Sequence, residues 1–195
     1  MPAYCVYAFL PENIEKLALD LRLDNTDDRL LWTMDEVPHV TVMYGPMIDD
    51  NTDELNSKSS KSEINTLLGG FISKYEGAYP SFKISGIGCF YRDDKNIIKL
   101  NIESSDMTEM QVFLRKNTEN TYEVMHEKNP HDQSYAMPPI GWCHVTLGYL
   151  KKNVDVVPII KELSERLEFA LEQREFSVRQ IALISAKTDQ IIKLW

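Results

Sequence analysis

Pro38-His39-Val40-Thr41-Val42-Met43-Tyr44 and Cys143-His144-Val145-Thr146-Leu147-Gly148-Tyr149 are two copies of one pattern, x-His-Val-Thr-h-x-Tyr with h apolar. Their histidines stand 105 residues apart in a chain of 195. Both copies are rich in β-branched and aromatic residues, and the first is stopped by Gly45-Pro46, so each is read as a strand. Residues two apart on a strand share a face. His39 and Thr41 therefore project together while Val40 and Val42 turn to a core, and His144 and Thr146 do the same, backed by Val145 and Leu147. A repeat spaced by about half the chain predicts a single domain, residues 1–195, made of two pseudo-symmetric lobes that each supply one His-x-Thr strand.

Outward from these strands the hydrophobic periodicity alternates between strand and helix. Residues 3–10 read as a buried strand, and Ile14, Leu17, Ala18 and Leu21 recur at helical spacing over 11–23 with Pro11 in the first turn. The polar stretch 46–62 reads as a surface loop, followed by a helix carrying Ile64, Leu67, Leu68, Phe71, Ile72 and Tyr75 and closed by Gly77 and Pro80. Phe82 to Phe90 and Ile97 to Ile102 alternate and pair as a hairpin about Arg92-Asp93-Asp94-Lys95-Asn96. Met107, Met110, Val112, Phe113 and Leu114 predict a helix reaching Met125, and 127–140 reads as a long loop. The second motif strand covers Trp142 to Leu150, a helix covers 155–173, Phe176 to Ala186 returns as a strand, and Ile191 to Trp195 is the last.

Two imidazoles and two hydroxyls converging on one cleft suit a phosphate ester. Imidazole ionises near pH ~6.5, so one histidine can take a proton while the other gives one. Threonine hydroxyls can donate to non-bridging phosphoryl oxygens, where charge builds in the transition state. The paired His-x-Thr motifs, each on a strand and half a chain apart in an alternating α/β chain, resemble the 2H phosphoesterase superfamily. The resemblance rests on residues 38–44 and 143–149, with an element order from 3 to 186 that is compatible with the family's fold. It implies an α+β fold with two antiparallel sheets facing a central cleft and helices outside. It makes His39 and His144 the catalytic pair and Thr41 and Thr146 the phosphate binders, with no metal and no cofactor.

Members of that superfamily act on 2′,3′-cyclic phosphates, on 2′-5′ linkages, or on oligonucleotide immune signals that some viral members destroy. The compact size favours the last, a viral or phage-like enzyme cleaving cyclic or 2′-5′ oligonucleotides. The alternatives are an RNA-processing 2′,3′-cyclic phosphodiesterase or 2′-5′ RNA ligase-like enzyme, and a non-catalytic nucleotide-binding protein. Tyr7, on the first strand, and Trp142, just before the second motif, are the candidate base-stacking residues. Lys128, Lys151 and Lys152 are candidates to offset negative charge around a phosphate.

The formal net charge of −9 argues against long polyanions and anionic membrane, and leaves a small nucleotide or short oligonucleotide as the partner. Three scattered cysteines, Cys5, Cys89 and Cys143, fit a reducing compartment, and residues 1–10 lack a basic n-region. A monomer in the cytoplasm, the host's if the protein is viral, is expected. Three other motifs carry no site. His126, His131 and His144 match no metal-ligand spacing. Asp49-Asp50-Asn51-Thr52-Asp53 has Glu54 where a calcium loop needs glycine. Gly86-Ile87-Gly88 lies inside a strand, where a bulge or close packing accounts for it.

Overall fold

The computed structural model describes residues 5–24, 26–32, 36–44, 69–92, 94–128, 139–184 and 191–194. The expected loop at 46–62, the start of the helix after it and residues 129–138 lie outside these. In chain order the elements are β1 (Cys5–Phe9), α1 (Glu12–Leu21), β2 (Leu30–Trp32), β3 (His39–Tyr44), a helical stretch over 69–75 (α2), β4 (Ser81–Arg92), β5 (Lys95–Glu103), α3 (Ser105–Lys128), β6 (Cys143–Lys151), α4 (Val157–Ala170), β7 (Glu175–Ser177), β8 (Gln180–Ile184) and β9 (Ile191–Leu194).

The helices follow the apolar spacing. α1 buries Ile14, Ala18 and Leu21, and opens with Glu12 and Glu15 at the positive end of its dipole. α4 buries Ile159, Leu163 and Leu167 at i, i+4 and accepts a proline in its first turn. The Ser104 hydroxyl caps α3 by accepting from Met107 N at 3.0 Å. α1 and α4 pack together, α4 also lies on β4, and α3 lies on β3 and β4. Phe71 and Tyr75 of α2 meet Phe113 of α3 in one aromatic cluster.

All strand pairs are antiparallel, in the order β7-β4-β5-β6-β3-β1-β8-β9, with β2 also paired to β6. The fold is α+β, and the two motif strands, β6 and β3, are its central neighbours. The two expected sheets are thus joined into one, at a seam where Val40 pairs with Val145. Both valines are fully buried.

The expected strand at 176–186 divides in two. The amides of Val178 and Arg179 leave the ladder to donate to Pro80 and Phe9 carbonyls. The chain there passes from one partner directly to the other, so that β7 edges β4 and β8 pairs with β1. α3 runs to Lys128, which makes His126 and Lys128 helical rather than loop residues; His131 lies outside the described residues. β2, three residues long, has too short an alternation to be read from sequence, and it pairs with the end of β6 that β3 does not reach.

The seam carries one buried polar clamp. Gln111 of α3 donates from Nε2 to the Val42 carbonyl at 2.9 Å, and its Oε1 accepts from Gly141 N at 2.7 Å. One amide side chain therefore fastens β3 to the entry of β6. Gln111→Ala leaves both backbone groups without this partner and should cost about 2 kcal/mol, a fall of roughly 4–8 °C in Tm. A thermal melt checks this, and an unchanged Tm would contradict it.

Candidate active site

Around the Val40–Val145 pair the antiparallel register sets His39 beside Thr146 and Thr41 beside His144. The four side chains that the motif puts on one face are thereby related by a local two-fold through the seam. Their valine and leucine neighbours are buried while the four remain partly accessible. The alternation predicted from sequence holds in both strands.

Each motif strand then breaks step at the same place. β1 pairs Tyr7 with Thr41 and Val6 with Met43, skipping Val42; β5 pairs Lys99 with Thr146 and Ile98 with Gly148, skipping Leu147. In β6 the extra residue in the bulge returns the fifth residue after the histidine to the histidine's face. This explains the tyrosine of the second copy. Tyr149 is on the face of His144 and Thr146, and its hydroxyl is hydrogen-bonded with Thr146. Burial pushes the Tyr149 phenol up.

The histidines are oriented from behind. His39 Nδ1 lies 2.9 Å from the Val37 carbonyl, an acceptor only, so Nδ1 carries the proton and Nε2 is presented to the cleft. Tyr7 stacks on the His39 ring, with centroids 3.8 Å apart and planes 21° apart. On the other strand the backbone of Trp142, again two residues earlier, acts on His144 in the same sense, and the buried Nδ1 makes no hydrogen bond of good geometry. Trp142 and Phe90 frame this ring at 5.6 and 5.4 Å, and lie 4.7 Å from one another. Tyr7 and Trp142 therefore flank opposite histidines rather than forming one aromatic face.

Both imidazoles have lowered basicity. Burial is the main cause in each case. His144 is pushed down to about 4, with the Lys99 ammonium and then His39 adding to desolvation. His39 is lowered too, with the Val37 carbonyl and then Glu36 pulling it partly back and Arg22 adding to the fall.

The face continues beyond β6 in two rows across three strands. Gly86, Asn101 and His144 are in register, and so are Gly88, Lys99 and Thr146. A Cβ on Gly88 would come within 2.9 Å of the Asn101 amide, so glycine leaves room for that side chain beside His144. The bulge and close packing expected of Gly86-Ile87-Gly88 are both present, the bulge between Ile84 and Gly86. Lys99, Phe90, Asn101 and Glu36 escaped sequence reasoning, because nothing local distinguishes a cleft-facing polar residue from a solvated one. Lys151 and Lys152 hold other groups: Lys152 pairs with Asp94 at 2.6 Å and Lys151 reaches the Asp28 carbonyl.

Among the described residues no group of three or more His, Cys, Asp or Glu side chains is placed to hold a metal ion. The three cysteines are free thiols, and burial pushes Cys143 up to about 11. No described helix is long and apolar enough to cross a membrane.

No family model and no curated protein matches the sequence. Solved structures do match the fold. A phosphoesterase crystal structure aligns with a TM-score of 0.59 at 10% identity, over 100% of this chain and 98% of its own. Kluyveromyces marxianus Usb1 aligns with a TM-score of 0.55 at 13% identity, over 97% of this chain and 95% of its own. The same protein with uridine monophosphate gives 0.54 and 13%, over 97% and 96%. The chain shares the fold of these structures over nearly its whole length.

The depressed histidine has a consequence for stability. Below pH 6.5 the unfolded chain protonates residue 144 while the folded chain does so only near 4, so the unfolded state binds more protons in that window. Stability should fall as pH drops from about 6.5 to 4, with up to roughly 3 kcal/mol from this group. Urea unfolding at pH 7 and pH 4.5 should show a smaller acid loss in His144→Asn than in the wild type. Equal losses would contradict the assignment.

Proposed function

We propose that the chain is a metal-independent phosphodiesterase of the 2H type, acting on a phosphodiester or cyclic phosphate in a small nucleotide or short oligonucleotide. The observation that carries this is the two-fold arrangement of His39, Thr41, His144 and Thr146 about the Val40–Val145 pair. The likeness of fold to a phosphoesterase and to a protein solved with uridine monophosphate supports it.

His144 is the general base. Its depressed basicity keeps the imidazole unprotonated over most of the working pH range, and Lys99 opposes its becoming charged. His39, protonated on both ring nitrogens, is the general acid, since the Val37 carbonyl and then Glu36 favour its charged form. A phosphate seated between the motif strands takes hydrogen bonds from the Thr41 and Thr146 hydroxyls on its non-bridging oxygens. His144 Nε2 removes a proton from the sugar hydroxyl next to the bridging phosphate, or from water when the substrate is already a cyclic phosphate. That oxygen attacks phosphorus in line, and the departing oxygen takes the proton held on His39 Nε2. The products are a cyclic phosphate and an alcohol in the first case, and a phosphomonoester in the second.

Within this class, cyclic or 2′-5′ oligonucleotide signals are the preferred substrates, on the compactness of the chain and its acidity. An RNA end bearing a 2′,3′-cyclic phosphate is the second reading, and the Usb1 complex with a uridine nucleotide is the observation that favours it. Free thiols at all three cysteines support a reducing, cytoplasmic setting.

A panel of cyclic dinucleotides, cyclic trinucleotides, 2′-5′ oligoadenylate and 2′,3′-cyclic mononucleotides, read by mass, should give turnover that survives a chelator. His39→Ala and His144→Ala should each lower kcat by roughly 10²–10⁴. A nucleotide-binding protein without catalysis would show no turnover on any of the panel and would bind equally well in both variants. A base must be deprotonated and an acid protonated, so kcat/KM should be bell-shaped, with an acid limb near 4 from His144 and a second limb below 6.5 from His39. A profile that rises monotonically through pH 8 would contradict the assignment of roles.

A further inference from the structure

Lys99 is the cation beside His144. It stands on β5 opposite Thr146, and its Nζ lies 5.5 Å from the centroids of both Phe90 and Trp142. It is partly buried, and burial lowers its basicity. Several other basic side chains are compensated: Lys74 by Glu109, Lys152 by Asp94, Arg29 by Asp27 and Arg179 by Glu15. Among the described residues no carboxylate lies within ion-pair distance of Lys99, and the other ionisable groups that act with it are the Cys89 thiol and His144.

A partly desolvated, uncompensated cation is costly, and two ring faces return only about 0.5–2 kcal/mol. In a chain of net charge −9 the nearest remedy, a carboxylate, is absent here among the described residues. An anion brought by the ligand completes the site. That anion is distinct from the phosphate at the seam, because the Lys99 ammonium is held over the rings of Trp142 and of Phe90 on β4, the strand beyond β5 on the side away from β3. Strands lie about 4.8 Å apart, so Lys99 is rooted a full strand spacing outside the histidine pair. On β4, Gly86 leaves open space, while the Asn101 side chain fills the room over Gly88.

We propose that Lys99, with Phe90 and Trp142, forms a subsite for a second phosphoryl group, one nucleotide removed from the scissile phosphate. The inference rests on the phosphodiesterase reading for the position of the first phosphate. It makes the substrate a nucleotide with two or more phosphates, the rings packing against the sugar or base between them. A mononucleoside cyclic phosphate leaves the subsite empty.

The test is direct binding, which does not require turnover. Deoxyadenylyl-deoxyadenosine and its 5′- and 3′-phosphorylated forms lack the hydroxyl that attacks, and calorimetric titration at pH 7.5 and low salt gives a Kd for each. At this pH His144 is neutral with or without Lys99. The wild type should bind one phosphorylated form at least tenfold tighter than the unphosphorylated dinucleotide. Lys99→Met and Lys99→Gln should each reduce that preference below threefold, while Lys99→Arg retains it. Two neutral variants guard against one that fails to fold, and a thermal melt establishes which are folded. The proposal is overturned if the wild type binds none of the three, shows no preference for a terminal phosphate, or keeps the preference in a folded neutral variant. Failure of the phosphodiesterase reading shows differently: the matching ribonucleotides would bind with the same Lys99-dependent preference and remain uncleaved.

Discussion

Val40 opposite Val145 is the contact on which the candidate site depends. It joins the two halves of the sheet, and in an antiparallel pair the residues on either side of it are placed by the register alone. Two His-x-Thr strands brought together this way give a constellation that needs no loop to assemble it. The polar face is fixed by the apolar one, since Val40, Val42, Val145 and Leu147 are buried and so turn the histidines and threonines outward. Gln111 makes the seam specific, because its amide must reach both a carbonyl of β3 and an amide at the entry to β6. A slip of one residue would break both hydrogen bonds and reverse the faces.

The electrostatics of the cleft are set by desolvation more than by partner charges. Two imidazoles of lowered basicity, two hydroxyls and the Lys99 ammonium line the cleft of an acidic chain. The local two-fold is broken where the roles must differ. His39 has Tyr7 stacked on it and Glu36 nearby, whereas His144 has the Phe90 and Trp142 rings and Lys99. An acid and a base made from the same residue type require such unequal surroundings.

The repeat made this much legible from the sequence. Alternation within seven residues is a strong signal when both copies agree, and it located all four candidate residues on their strands. The tyrosine of the repeat was visible, but its meaning was not, because the bulges at Val42 and Leu147 follow from how each strand pairs with its neighbour. Lys99 and Asn101 read as ordinary polar positions of an alternating strand. Their role comes from lying in register with Thr146 and His144, a long-range fact. The break at Val178 and Arg179 was hidden for a similar reason: the apolar run continues while the backbone partners change from Pro80 to Phe9. Tyr7 and Trp142 were found as aromatic residues near the motifs, and only the fold assigns them to different histidines.

The central claim is that His39 and His144 present their Nε2 atoms to one phosphate. Long-range ¹H–¹⁵N spectra of the two imidazoles, followed as adenosine 3′-monophosphate is added, test it without reference to turnover. The account predicts that both Nε2 resonances move together and saturate at a single Kd, with the Nδ1 of His39 staying protonated throughout. Movement of one ring alone, or of neither, would contradict it.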